Sequence, residues 1–191
     1  MKKTLPLRLS KRPFTVRQAV SGGLSKSYLT RMVKADMLQR VSRGIYQASN
    51  VEGGTDEEMY RVATFRCGTP SAICLLSALE YYHLTDQIPK QIWVLVPAPK
   101  RIVSKDLKLI RSRDPRWGIG IRKNEHYWIT TLERTLIDSL LFKKLIGSQV
   151  ALEAIKKAVA QKKTRLGDLY DMAKKMRVEH RIRPTIEALA S

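Results

Sequence analysis

The sequence predicts an α+β fold in two parts, and three observations predict it. Between Phe14 and Ala48, two short capped helical segments are followed by two alternating runs around a tight glycine turn. Gln91 to Pro97 (QIWVLVP) is a run of β-branched and aromatic residues closed by a proline, the pattern of a buried strand. From Thr131 onward, apolar residues recur at helical spacing. The first observation gives an N-terminal winged helix-turn-helix over residues 1–50. The other two give a mixed α/β C-terminal domain over residues 51–191, a small sheet flanked by helices. A chain of 191 residues is long enough to bury a core in each.

Residues 1–13 are basic (Lys2, Lys3, Arg8, Lys11, Arg12) and interrupted by Pro6 and Pro13, which leaves little room for a first helix. Leu5, Leu7 and Leu9 alternate, the pattern of a short strand or an extended arm. Such a segment either follows a nucleic-acid backbone or frays. Thr15 caps a helix beginning with Val16 to Ala19, because its hydroxyl accepts an otherwise unpaired backbone N–H. Ser21-Gly22-Gly23 stops that helix, since glycine enters the left-handed region at no steric cost. Ser25 caps a second helix over residues 26–36. On it Leu29, Met32 and Val33 share one face, while Ser27, Thr30, Arg31 and Lys34 lie opposite, with Lys26 at the start. Residues 38–41 and 45–48 then form a hairpin around Ser42-Arg43-Gly44.

Hydroxyls and cations on one helix face are the groups that bond phosphates and base edges. Lys26, Ser27, Thr30, Arg31 and Lys34 are therefore the expected DNA-reading set. Arg17 and Gln18 are placed as phosphate contacts, and Arg40, Ser42 and Arg43 as contacts from the hairpin tip. The competing reading is a solvated helix face. The charge distribution bears on that choice. The chain holds 36 Lys and Arg against 17 Asp and Glu, net +19, and residues 1–50 hold 11 basic residues and one acidic residue, Asp36. A quarter of the chain thus carries about half the net charge, a field that favours polyanions.

Residues 49–58 turn acidic around Gly53-Gly54 and mark the expected boundary. Thr55 followed by Asp56, Glu57 and Glu58 begins a helix reaching Cys67, with its anions at the positive end of the dipole. Gly68-Thr69-Pro70 breaks it, and a second helix is expected over residues 71–82. The strand at 91–97 is expected to be central, being apolar on both faces. Weaker strands at 107–111, 118–122 and 127–130 are expected beside it as antiparallel neighbours. A helix over 131–144 turns Leu132, Leu136, Ile137, Leu140 and Leu141 inward, and Gly147 ends it. Helices follow at 148–163 and 166–176, with a last turn at 184–189.

Two cysteines, Cys67 and Cys74, suit buried thiols and form neither a disulfide framework nor a zinc quartet. His83, His126 and His180 lack ligand spacing, so no metal and no cofactor is expected. No apolar run approaches the roughly 20 residues that span a bilayer, and a cytoplasmic location without membrane contact is expected.

Three motifs resemble one family. Ser77 to Pro89 (SALEYYHLTDQIP) followed directly by the strand, Thr131 to Asp138 (TLERTLID), and Arg40 to Tyr46 (RVSRGIY) resemble signatures of AbiEi-family antitoxins, which are transcriptional regulators of type IV toxin–antitoxin systems. The resemblance covers most of the chain in the right order. It implies a winged-helix domain that represses its own operon at inverted repeats in double-stranded DNA. It implies a C-terminal antitoxin domain at 51–191 carrying the motif Arg134, Thr135 and Asp138. It also implies a nucleotidyltransferase-like toxin as the functional partner, without a stable complex. The family usually has a fuller first helix than residues 1–13 allow.

Outside that resemblance, Arg134 and Asp138 at i, i+4 read best as a structural brace. Glu80, His83 and Asp86 cluster near a strand edge without paired-ligand spacing. Trp93, Trp117, Tyr127 and Trp128 fit a core better than a stacking platform. No phosphate-cradling glycine loop or His-Glu-x-x-His motif occurs, so an enzyme is not expected. The alternatives to the repressor–antitoxin are a standalone winged-helix regulator and, further off, a metal-dependent nucleic-acid enzyme using Glu80 or Asp138.

Overall fold

Backbone contacts divide the protein into two units, Met1–Thr69 and Pro70–Ser191. The structure, a computed structural model, describes residues 5–51 and 55–190. Lys2 and Lys3 of the expected arm, and Glu52, Gly53 and Gly54 of the acidic stretch, lie outside the described residues.

The first unit contains α1 (Leu7–Ser10), β1 (Phe14–Thr15), α2 (Val16–Ser21), α3 (Lys26–Lys34), β2 (Leu38–Ser42), β3 (Ile45–Ala48) and α4 (Asp56–Cys67). Its strands form an antiparallel sheet in the order β1-β3-β2, with Phe14 opposite Tyr46 and Leu38 opposite Ala48. The alternation of Leu5, Leu7 and Leu9 does not make a strand. Pro6 sits immediately before a single helical turn, where its fixed φ and missing N–H cost nothing. The Leu9 N–H donates to the Pro6 carbonyl at 2.8 Å. Leu9 joins Phe14, Ala19, Leu24, Leu29 and Met32 in the core, so this one turn is an integral part of the unit.

The helix expected over 26–36 ends at Lys34. Asp36 lies in the left-handed region at φ 55°, and the Met37 N–H returns to the Met32 carbonyl at 2.9 Å, closing the C-terminus. The boundary also moves. Composition places it at residues 49–58, but α4 packs against β2, and contacts divide the chain after Thr69. Thr55 caps α4 as expected, its Oγ1 accepting the Glu58 N–H at 3.3 Å.

The second unit contains β4 (Ala72–Ile73), α5 (Leu75–Tyr81), β5 (Ile92–Pro97), β6 (Leu107–Ser112), β7 (Ile121–Lys123), β8 (Trp128–Thr130), α6 (Leu132–Leu141), α7 (Lys143–Ile146), α8 (Ser148–Ala160), α9 (Leu166–Met176) and α10 (Glu179–Ala190). The sheet order is β6-β5-β4-β8-β7. The expected helix over 71–82 is thus a two-residue strand followed by a shorter helix. Ala72 and Ile73 are wholly buried between neighbours on both sides, antiparallel to β5 and parallel to β8. A short run that is buried on every side has no polar face from which to read its period. The strand β4, not β5, is therefore the middle of the sheet. β5 pairs with β6 in parallel, joined by residues 98–106, whereas antiparallel neighbours were expected; only β7 and β8 are antiparallel in that set.

α6 is the hub of the helical layer and packs against α5, α7, α8, α9 and α10. Leu136, Ile137 and Leu140 are buried there, with Leu132 and Leu141 at the margin of the same core. The helix expected to run to Lys144 breaks at Phe142, and Gly147 at φ 98° separates α7 from α8. The last helix is longer than the expected turn, beginning at Glu179 with Pro184 inside it. Pro184 is exposed and sacrifices one backbone bond, a local cost that burial of Ile182 and Ile186 on the other face offsets.

One glycine is indispensable. Gly120 has φ 69°, and a Cβ there would sit 2.7 Å from Cβ of Arg134 and 3.2 Å from Sδ of Met172. Gly120→Ala is expected to destabilise the C-terminal unit by about 2 kcal/mol or more. The urea transition followed by tryptophan fluorescence measures this selectively, because Trp93, Trp117 and Trp128 all lie in that unit.

Candidate nucleic-acid interface

The interface is built from the caps of two helices. Thr15 Oγ1 accepts the Gln18 N–H at 3.2 Å, and Gln18 Oε1 accepts the Thr15 N–H at 2.9 Å, a reciprocal capping box. Two residues after α2, the chain turns through Gly23 at φ 84°, with the Leu24 N–H bonded to the Ala19 carbonyl at 3.0 Å. Leu24 then drops into the core. Ser25 Oγ accepts the Tyr28 N–H at 3.2 Å and starts α3. Each step is local, and together they fix the direction in which α3 leaves the turn.

Leu29 and Met32 hold the inner face of α3, with Val33 at its edge. Lys26, Ser27, Thr30, Arg31 and Lys34 are all exposed, as the helical period requires. Two of the hydroxyls are tied locally. Thr30 Oγ1 donates to the Lys26 carbonyl at 3.2 Å, and Ser27 Oγ lies 3.0 Å from Ser25 Oγ. Both keep acceptor capacity, but the cations carry the reach of this face. The Arg31 guanidinium lies over the Tyr28 ring at 5.4 Å, which limits its rotamers and holds it on the outer surface. Tyr28 was not among the expected contacts, although its i, i+3 spacing from Arg31 is visible in the sequence.

The hairpin tip is Arg43-Gly44, with Gly44 at φ 75°. The register shifts between Arg40 and Ser42, so Val41 bulges outward and the tip twists. Arg40 and Arg43 are exposed; Ser42 is half-buried opposite Ile45. The Gly44 carbonyl accepts the Val16 N–H at 3.0 Å, which ties the tip to the first residue of α2. Arg17 is exposed on α2. Gln18 is exposed too, but its amide oxygen is spent on the capping box, leaving only the amide nitrogen for a phosphate.

The residues singled out in the second unit are internal. Arg134 and Asp138 form a buried ion pair at 2.8 Å, their side chains 7% and 5% exposed. Arg134 Nη1 also donates to the carbonyls of Trp117 and Ile119. Burial pushes the Asp138 carboxyl up from its ordinary value, while the charge and hydrogen bond of Arg134 oppose that push. Thr135 Oγ1 donates to the Thr131 carbonyl at 2.7 Å and lies 2.7 Å from Thr130 Oγ1, linking α6 to β8. Asp114 accepts two bonds from the Arg116 side chain, which hold its carboxyl below the ordinary value.

Among the described residues no group of three or more His, Cys, Asp and Glu is placed to hold a metal. Asp86 is fully exposed and meets Lys157 at 3.5 Å, and His83 is exposed at φ 57° just beyond α5. Trp93 and Tyr127 are core residues; Trp117 lies partly buried at the core margin; Trp128 is 39% exposed. No helix of the described residues is long and apolar enough to cross a membrane.

Residues 4–49 match the family model described as transcriptional regulator, AbiEi antitoxin. The match spans α1 through β3, the elements that carry and support the exposed cationic face. That description names a transcriptional regulator and an antitoxin. No curated protein matches the chain significantly. The matched segment therefore coincides with the capped helices and hairpin, and the motifs at Ser77–Pro89 and Thr131–Asp138 lie beyond it.

The buried pair generates a prediction. Asp138→Ala leaves the Arg134 guanidinium in the interior without its counter-ion, at an expected cost of about 3 kcal/mol. Asp138→Asn, which keeps an acceptor but loses the charge, is expected to lose less than Ala yet remain below wild type. Urea midpoints of the C-terminal unit measure both, and an Asn variant as stable as wild type would contradict an ionic role for the carboxylate.

Proposed function

We propose that the protein is a DNA-binding repressor of its own operon and the antitoxin of a type IV toxin–antitoxin system. In this reading α2, the turn, α3 and the β2–β3 hairpin are a winged helix-turn-helix, and residues 70–191 are the antitoxin domain. The reading rests on one observation above the others: the only apolar side of α3 is buried, and Lys26, Arg31 and Lys34 stand exposed on the remainder. A helix seated in this way presents its outer face to the major groove, while Arg40 and Arg43 reach the flanking backbone or minor groove. The family match over residues 4–49 supports regulation of transcription.

The C-terminal part of the proposal rests on resemblance. Arg134, Thr135 and Asp138 brace α6 to its surroundings, so their part in neutralising a toxin is to keep the domain folded. The partner on this reading is a nucleotidyltransferase-like toxin, countered without a stable complex. The location is the cytoplasm, where both operator and toxin are found. The family match ends at residue 49, which also fits a standalone regulator whose second unit has another role. The two readings divide on co-expression. Residues 70–191 alone rescue growth against a toxin encoded beside the gene if the protein is an antitoxin, and fail if it is only a regulator.

DNA binding is tested at the helix. Wild-type protein is expected to retard a fragment of its own promoter, with affinity falling steeply as salt rises. Arg31→Ala with Lys34→Ala is expected to weaken binding by about 100-fold or more, from two charged hydrogen bonds at about 1.5 kcal/mol each. It should also lower the salt slope by about 1 per lost phosphate contact. Full retardation by this double variant, with an unchanged circular dichroism spectrum, would remove α3 from the interface.

A further inference from the structure

The C-terminal unit holds a second concentration of arginines, independent of the DNA-binding face. A cleft of about 250 Å³ opens among the end of β6, the connection that follows it, α6 and the start of α10. Arg116, Arg134 and Arg181 line it, with Trp117, Phe142 and Met176. Three guanidinium groups on one small wall repel one another unless they are held or neutralised.

Two of them are held. Arg116 Nε and Nη2 lie 2.9 and 3.1 Å from the two oxygens of Asp114. Arg134 is fixed by Asp138 and by the carbonyls of Trp117 and Ile119. Each carboxylate orients its arginine and leaves part of the fork unused. Among the described residues, Nη1 of Arg116 and Nη2 of Arg134 have no hydrogen-bond acceptor, and the exposed Arg181 side chain has none at all. The wall thus has three arginines against two carboxylates, with donors unspent on each arginine. Beside it Phe142 is 38% exposed and Trp117 only partly buried, which leaves ring surface next to the cations.

We propose that this cleft binds a nucleoside polyphosphate, its phosphates on Arg116, Arg134 and Arg181 and its base against Trp117 and Phe142. Arginine forks match phosphate oxygens in geometry and charge. A flat ring system stacks on exposed aromatics with little regard to which base it is. At about 250 Å³ the cleft seats the phosphates and one ring at most, and offers no groove for a strand.

The test is titration of the full-length protein with ATP and with GTP in the presence of Mg²⁺, followed by calorimetry and tryptophan fluorescence. Saturable binding with quenching is expected, the quench disappearing in Trp117→Phe. Arg116→Ala and Arg181→Ala are each expected to weaken binding about tenfold, or 1.4 kcal/mol, with unchanged thermal midpoints and unchanged retardation of promoter DNA. Arg31→Ala with Lys34→Ala should bind nucleotide as wild type does. The proposal is overturned by an absence of saturable binding up to millimolar nucleotide. It is also overturned if the α3 double variant loses nucleotide binding, which would place the phosphates on the DNA-binding face. Pyrophosphate or a short oligonucleotide binding as tightly as the triphosphates would overturn it as well, by leaving the base or the single-nucleotide limit without a role.

Discussion

The cost of desolvating one guanidinium organises the C-terminal unit. Arg134 sits on α6 with its side chain only 7% exposed, so most of its donors must be met by protein. Asp138, one turn later, meets Nε, and the carbonyls of Trp117 and Ile119 meet Nη1. Those carbonyls belong to a connection between β6 and β7 with little regular structure of its own. The arginine thereby gives an irregular segment a fixed place against α6. The same closeness explains Gly120, where the chain passes so near the Arg134 stem that a Cβ has no room. Gly120 also accepts the Thr131 N–H at 2.7 Å, so the residue that clears space for the arginine helps begin the arginine's own helix. Replacing the pair with apolar residues of equal volume need not weaken the helix itself. It would remove the reason for residues 117–120 to lie where they do.

The N-terminal unit solves a different problem by local means. It is small, and its core is built around a handful of residues that include Phe14, Leu24, Leu29 and Leu38. With little apolar area available, orientation depends on capping and turn geometry. Thr15, Gln18, Gly23 and Ser25 each satisfy a backbone requirement at a defined place, and the sum is the exit angle of α3. The single turn at Leu7–Ser10 supplies what a longer first helix would otherwise provide: one buried leucine, Leu9, closing the core. A short proline-bearing segment can do this because only one side chain needs to be delivered.

These two modes of construction account for what the sequence revealed. Caps, stops and hairpin turns are written in adjacent residues, and they were legible: Thr15, Ser25 and Thr55 all cap helices, and Gly44 turns the hairpin. The exposure of Lys26, Arg31 and Lys34 followed from period alone. Pairing between distant strands left no such mark. Ala72 and Ile73 read as helix because their neighbours are apolar on every side, and the parallel register of β5 with β6 is set by packing over many residues. The boundary was misplaced for a related reason. Composition changes at residue 49, yet α4 still packs on β2. Tyr28, Arg116 and Arg181 were missed because what they do depends on partners, and Arg116 and Arg181 acquire meaning only beside Arg134.

Charge carries less information than its placement. Residues 70–191 hold 23 basic and 12 acidic residues, so the second unit has a net charge similar to that of the first 50 residues, at less than half the density. Many of its cations are nevertheless committed: Lys157 to Asp86, Arg183 to Glu187, Arg116 to Asp114, Arg122 over the rings of Tyr81 and Tyr82. Exposed pairs of this kind contribute little to stability, and they also blunt the local potential felt by a polyanion. On α3 no acidic residue lies within the helix, and Lys26, Arg31 and Lys34 face solvent together. A polyanion approaching the protein therefore meets an unpaired cationic stripe on one unit and a mixture of paired and unpaired cations on the other. Net charge would bring DNA to both. In the proposed reading, the lack of neutralising partners along one helix face among the described residues is what selects between them.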